Sequence, residues 1–119
     1  MLRMSFKKLT VWGKSMKLVK DVYEATKIFP REEQYGLTQQ IRRAAVSIPS
    51  NIAEGSQRVS DKEFSNFLLI SRGSLAEVET QLLIAQDLGY ISKESMDELS
   101  PAMEEISKML HSFHSKLTA

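Results

Sequence analysis

The stretch MDELSPAMEEISKMLHSFHSKL, Met96 to Leu117, decides the fold of this chain. Its apolar residues recur in steps of three and four: Met96, Leu99, Met103, Ile106, Leu110, Phe113 and Leu117. This heptad repeat puts one apolar seam along a helix, as in helices that pack nearly parallel in left-handed bundles. Because the seam keeps its phase through Pro101, we expect one helix with a kink there rather than two helices.

Apolar spacing of the same kind predicts three earlier helices, so the four helices span about 8–29, 35–55, 61–88 and 93–117. The third begins at the capping box Ser60-Asp61-Lys62-Glu63, and Gly89 ends it. Ser92 is the expected N-cap of the fourth. In the first helix we expect the core face to contain Trp12, Met16, Val19, Val22 or Tyr23, Thr26 and Phe29.

The chain has 119 residues with only three prolines and five glycines, and no strand-like alternation recurs. This length is typical of one domain, residues 1–119, with its own core. Four amphipathic helices with short connections predict an all-α fold, an antiparallel up-down-up-down four-helix bundle. The absence of cysteine, of a signal peptide and of a membrane-length apolar run indicates a cytoplasmic protein without a membrane partner.

Charge is distributed unevenly along the chain, although the net charge is only +1. Residues 1–60 contain eleven Lys/Arg and five Asp/Glu, a net +6, whereas residues 61–119 contain five and ten, a net −5. The two halves either complement each other within or between subunits, or the basic half meets a phosphate backbone or an acidic partner. The candidate nucleic-acid-binding residues are Lys7, Lys14, Lys17, Lys20, Arg42 and Arg43.

Two helices carry more apolar surface than a single bundle needs. The third helix has a second apolar stripe, and the second helix has apolar residues opposite its core face. We expect these residues to form a homo-oligomer interface: Val46, Ala53, Leu69, Gly73, Ala76 and Leu83. The alternative is that the N-terminal arm or the chain ends cover this surface within one subunit.

Polar side chains between the second and third helices form another candidate site. These are Arg43, Ser47, Asn51, Glu54, Arg72, Ser74 and Glu77. An ion pair between Arg43 and Glu77 would fix the register of the bundle, and the alternative is a polar recognition patch. Pro49 lies within this second helix, so we expect a kinked helix in which Ser47, Ser50 or Asn51 compensates for the lost hydrogen bond.

No pattern in the chain predicts catalysis. His111 and His114 are three residues apart, but position 108 is Lys and not the Glu of a di-iron Glu-x-x-His motif. Phosphate-binding glycine loops and nucleophile motifs are missing from the sequence. We therefore expect no catalytic residues, no metal and no cofactor.

Three segments carry a family resemblance: LTVWGKSMKLV (9–19), FPREEQYGLTQQIRRAAVSIPSNIAEG (29–55) and SRGSLAEVETQLLIAQDLGY (71–90). They resemble the bacterial four-helix bundle family encoded in intervening sequences of 23S ribosomal RNA genes. The resemblance implies a homopentameric ring. It also implies similarity to the accessory proteins of diversity-generating retroelements, which engage nucleic acid and a reverse transcriptase. The resemblance implies a genetic context for the protein but no chemical reaction that it would catalyse.

The leading hypothesis is a non-enzymatic oligomeric helical bundle that binds RNA or a nucleic-acid-processing protein through the basic surface of the first two helices. The alternative is a protein-protein interaction scaffold without a nucleic-acid role.

Overall fold

The computed structural model describes residues 5–119. It contains four α-helices: α1 (Thr10–Thr26), α2 (Leu37–Ser56), α3 (Asp61–Asp87) and α4 (Lys93–Thr118). Short 3-10 turns, Phe6–Lys8 and Arg31–Glu33, precede α1 and α2. The described residues contain no strand, which confirms the all-α prediction with four helices.

The four helices pack in a closed cycle. Helix α1 contacts α2 and α4, and α3 contacts the same two helices. Within residues 5–119, no close backbone approach joins α1 to α3 or α2 to α4. The helices therefore occupy four corners of a body that measures 48 × 25 × 20 Å, and the α1–α2 edge lies opposite the α3–α4 edge.

Local side-chain chemistry sets the boundaries of α3 and α4. The Ser60 hydroxyl accepts the Glu63 N–H at 3.1 Å, and the Glu63 carboxylate accepts the Ser60 N–H at 3.4 Å. The Ser92 hydroxyl likewise accepts the Ser95 N–H at 3.1 Å. Between the two helices, Gly89 has φ +79°, a conformation that favours glycine. The predicted capping box, N-cap and glycine stop are all confirmed.

The core follows the predicted seam of α4 and one face of α3. In α4, the buried residues are Met96, Leu99, Met103, Ile106 and Leu110. Phe113 and Leu117 continue the seam as partly buried residues, and Phe113 packs edge-on against Phe64 of α3 at a ring-centroid distance of 5.1 Å. The α3 residues of this core are Phe64, Leu68, Ser71, Leu75, Val78, Leu82 and Ala85.

The prediction of the α1 core face was partly wrong. The buried residues of α1 are Val11, Ser15, Leu18, Val22 and Thr26. Met16 is instead 46% exposed, and Trp12 and Val19 are only half-buried. Ser15 fits the core because its hydroxyl donates to the Val11 carbonyl at 2.7 Å, so its polar group is satisfied inside the helix. The apolar residues Trp12, Met16 and Val19 line a groove that α1 forms with α2.

Both prolines lie inside continuous helices. Helix α2 runs through Pro49 and α4 runs through Pro101, so the prediction of one helix at each position is confirmed. Of these helices, none combines the length and the apolar character that crossing a membrane requires.

The connection between α1 and α2 is tied to the end of α3. The Tyr90 ring lies 5.8 Å from the Phe29 ring, centroid to centroid. Its hydroxyl donates to Glu33 Oε2 at 3.0 Å, and this acceptor carboxylate raises the pKa of Tyr90. These contacts hold the start of α2 against the α3–α4 turn.

Candidate nucleic-acid interface and subunit surfaces

The six basic candidate residues come from the turn before α1, from α1 and from α2. Some of them bind acceptors within the molecule. Lys14 Nζ lies 2.9 Å from Glu105 Oε1 on α4, and Lys17 Nζ lies 3.0 Å from Asp21 Oδ2 one turn further along α1. Because these pairs are partly exposed, they contribute little stability, but they reduce the positive charge of the surface.

Arg42 and Arg43 point to different sides of α2, since consecutive helical residues differ by about 100° in direction. Arg42 Nε donates to Thr26 Oγ1 at 2.9 Å, and the guanidinium lies 4.5 Å from the centre of the Tyr23 ring. Arg43 instead lines a groove between α2 and α3. The structure does not bring the two arginines together in one patch.

Three of the six residues remain available to a partner. Lys7, Lys20 and Arg43 are exposed. Within residues 5–119, none of them forms an ion pair. An RNA contact would rest first on these three side chains, because the other three would have to break internal interactions.

Part of the predicted polar patch forms a hydrogen-bonded cluster across α2 and α3. The Ser74 hydroxyl donates to Ser47 Oγ at 2.9 Å, and Asn51 Nδ2 donates to the same oxygen at 2.8 Å. Arg43 and Glu77 line the adjoining groove, which has a volume of about 380 Å³. Glu54 is drawn away from it by Arg58, at 2.8 Å, and neither Glu54 nor Arg72 lines the groove.

The expected ion pair between Arg43 and Glu77 does not form. The two residues share the groove, but the ion pairs among the described residues do not include them. Both are exposed, so pairing would cost side-chain entropy for a weak, screened attraction. Here the polar contact between α2 and α3 is made by buried or half-buried serines.

A hydroxyl from α3 supports the backbone of α2 next to Pro49. The Ser71 hydroxyl donates to the Ile48 carbonyl at 2.9 Å, and both residues are fully buried. Asn51 Nδ2 donates to the Ser47 carbonyl at 2.8 Å, so two carbonyls of this turn gain a side-chain donor. Of the three expected residues, Asn51 donates to the Ser47 carbonyl and not to that of Ala45, which loses its helical N–H at Pro49, and Ser50 is exposed. Sequence reasoning missed Ser71 as a donor, although a serine in a leucine seam signals a buried hydroxyl that needs an acceptor.

We expect Ser71→Ala to lower the free energy of unfolding by about 1 kcal/mol, because it removes one buried interhelical hydrogen bond. Ser115→Ala, the same change on an exposed position of α4, should have an effect within about 0.5 kcal/mol. Urea denaturation followed by circular dichroism measures both. Equal losses in the two variants would contradict the role given to Ser71.

The residues predicted for the subunit interface lie on two separate surfaces. Val46 and Ala53 line an apolar groove of about 360 Å³ between α1 and α2, together with Trp12, Met16 and Val19. We call this surface the α1–α2 groove.

The other predicted residues lie on α3 and form the surface that we call the α3 ridge: Leu69, Gly73, Ala76 and Leu83. Leu69 is 44% exposed and Leu83 is 54% exposed. A Cβ atom at Gly73 would meet nothing within 4 Å. Exposed apolar residues that follow one another along one stripe, unlike a single exposed leucine, are typical of an interaction surface.

The two histidines do not gather further metal-ligating groups. His111 is exposed and His114 is half-buried on α4. Among the described residues, no three His, Cys, Asp or Glu side chains are grouped so that they could hold a metal ion.

Comparison with known proteins identifies the family. The model of the 23S rRNA-intervening sequence protein family matches residues 7–112. A crystal structure from Bacteroides thetaiotaomicron, of a protein with unknown function from the S23 ribosomal protein family, is similar with a TM-score of 0.81. It is 27% identical, and the match covers 88% of this chain and 98% of that chain. No curated protein matches this chain. The match over residues 7–112 shows that the chain belongs to the 23S rRNA-intervening sequence protein family.

Proposed function

We propose that this protein works without catalysis, as a homo-oligomeric ring of four-helix bundles that binds RNA or a ribonucleoprotein through its basic α1–α2 half. The observation that carries the proposal is the exposure of Lys7, Lys20 and Arg43 without acidic partners within residues 5–119. All three lie in the half of the chain with a net charge of +6.

Within each subunit, the proposed arrangement is antiparallel and up-down-up-down. Contacts between neighbouring helices support it. Early residues of one helix meet late residues of the next, as for Phe64 and Phe113 across α3 and α4. Thr10 at the start of α1 likewise lines one groove with Lys116 near the end of α4.

Assembly into a ring, with five subunits as the family resemblance implies, is supported by the exposed apolar residues of the α1–α2 groove and the α3 ridge. A monomer would leave both surfaces in water. Repetition of the basic half around a ring would raise the apparent affinity for a long polyanion, since each further contact becomes intramolecular. This effect matters here because only three of the six candidate basic residues are exposed and free of ion pairs within residues 5–119.

The second candidate function is a protein-interaction scaffold without an RNA role. The internal pairing of Lys14, Lys17 and Arg42 favours it, since these groups serve the bundle rather than an external phosphate.

A salt titration tests the RNA proposal. Three phosphate contacts per subunit should make RNA affinity fall about 40-fold between 50 and 200 mM salt, and more if several subunits engage one RNA. The triple variant Lys7→Ala, Lys20→Ala, Arg43→Ala should bind weakly and with a shallower salt dependence. Fluorescence anisotropy with a structured RNA measures both.

A matched control removes three basic residues from the acidic half: Lys62→Ala, Lys108→Ala and Lys116→Ala. It lowers the net charge equally and should retain most of the RNA affinity. If the wild-type oligomer fails to bind RNA at 50 mM salt, the RNA proposal is wrong. The protein-interaction scaffold is then the remaining candidate function. Equal losses of RNA affinity in the two triple variants would show that binding depends on net charge rather than on the basic half.

A further inference from the structure

We infer that the subunits join head to tail, with the α3 ridge of one copy seated in the α1–α2 groove of the next. The inference rests on the proposed oligomer and names the two surfaces that form its interface. A partner of this kind is a second copy of the chain, and each copy uses both surfaces at once.

The first argument is the position of the two surfaces. The groove lies between α1 and α2, where it is lined by Trp12, Val19 and Ala53. The ridge lies on the α4 side of α3, because Glu79 faces α4 beside Met103, and Ala76 and Leu83 are its neighbours at i−3 and i+4. In the cyclic packing, the α1–α2 edge lies opposite the α3–α4 edge. Two different apolar surfaces on opposite edges are suited to a repeating contact.

The second argument is shape. The groove is concave, holds about 360 Å³ and is floored partly by Pro49 and the small Ala53. The ridge projects leucines at positions 69 and 83, with Ala76 midway between them and open space at Gly73. Leucine side chains on one helix can fill a groove between two others, as they do in a bundle core.

The third argument is charge. The groove edge belongs to residues 1–60, with a net charge of +6, and the ridge edge belongs to residues 61–119, with a net charge of −5. Joining the two edges brings opposite charges together. A symmetric contact of ridge with ridge, or groove with groove, would bring like charges together, which disfavours it.

A contact between two different surfaces of the same chain produces rings when its rotation closes, whereas a contact of a surface with itself stops at a dimer. The proposed pairing therefore accounts for a ring. None of the free basic residues Lys7, Lys20 and Arg43 lines the groove, so the subunit contact and the proposed RNA contact use different side chains.

The test uses two variants that each block one surface with the same charge. The groove variant is Val46→Glu with Ala53→Glu, and the ridge variant is Leu69→Glu with Leu83→Glu. Each should be a monomer in sedimentation or light scattering. The subunit dissociation constant should rise at least about 100-fold, because the buried carboxylates have no partner.

Mixing the two variants in equal amounts gives the decisive result. The intact ridge of the groove variant can enter the intact groove of the ridge variant, so the mixture should contain a dimer of two 13.5 kDa chains and nothing larger. The blocked surfaces both carry glutamates and repel each other. A mixture that stays monomeric would overturn the pairing.

The control variant, Ile28→Glu with Val59→Glu, adds the same charge at positions that are 74% and 96% exposed outside both surfaces. It should assemble like the wild type. If circular dichroism shows that the groove variant is unfolded, Val46→Glu alone replaces it, since Val46 is 40% exposed.

The remaining outcomes separate the two proposals. A wild-type oligomer whose groove variant still assembles overturns the pairing and leaves the oligomer in place. A monomeric wild-type protein overturns both, and the two surfaces then serve another partner.

Discussion

Replacing Leu82 by alanine should lower the free energy of unfolding by about 2–5 kcal/mol, the largest effect that we expect from a single side chain in this bundle. Leu82 is fully buried in α3, in the seam that contacts both α2 and α4. The truncation removes apolar contacts and leaves a cavity that the neighbouring helices cannot fill without moving. Urea denaturation followed by circular dichroism measures the loss.

Leu83 provides the matched control, because it is the same residue type one position later and is 54% exposed. Leu83→Ala should change the free energy of unfolding by no more than about 0.5 kcal/mol. Both substitutions are made in the Val46→Glu variant, in which we expect the subunits to be separate. Loss of subunit contacts then does not add to the free-energy change measured for Leu83→Ala. Similar losses at the two positions would contradict the orientation of α3.

The sequence was most informative where a local signal has one physical solution. A capping box satisfies backbone N–H groups only at a helix start, and Ser60 with Glu63 does so in the structure. A heptad seam has one core face, so the burial of α4 could be predicted residue by residue.

Helix α1 was harder to orient because it is apolar on two faces. One face holds Val11, Leu18 and Val22, and the other holds Trp12, Met16 and Val19. Both faces fit the helical period, and side-chain size alone favours the face with Trp12. The structure buries the first face and accommodates Ser15 in it through a bond to the Val11 carbonyl.

Part of the polar candidate site was predictable as positions, but its interactions were not. Spacing brought Arg43, Ser47 and Ser74 to one groove, and the structure places them there. Which of them bond depends on burial and distances of a few tenths of an ångström, so the serine contact replaced the expected ion pair. The role of the basic residues in RNA binding stays a prediction, which the salt titration tests.

Gly55→Ala should destabilise the protein by about 1–3 kcal/mol, although alanine favours helices over glycine. Gly55 is buried next to the end of α2 and does not have a positive φ, so space and not backbone conformation requires glycine here. A Cβ atom at this position would lie 2.6 Å from Phe67 Cβ and 2.9 Å from Phe64 Cδ1. Phe67 Cβ is fixed to the α3 backbone, so a rotamer change cannot relieve the clash. Helices α2 and α3 would have to separate.

Gly13→Ala is the control, and we expect it to change the free energy of unfolding in the opposite direction. A Cβ atom at Gly13 would meet nothing within 4 Å, so alanine keeps its helix preference there and should stabilise α1 by up to about 1 kcal/mol. Thermal or urea unfolding of the two variants should therefore move in opposite directions from the wild type. If Gly55→Ala also raised the free energy of unfolding, the close approach of α2 and α3 at this glycine would be wrong. The Ser74–Ser47 and Ser71–Ile48 hydrogen bonds depend on the same packing of α2 against α3. The register of the two helices would then be wrong as well.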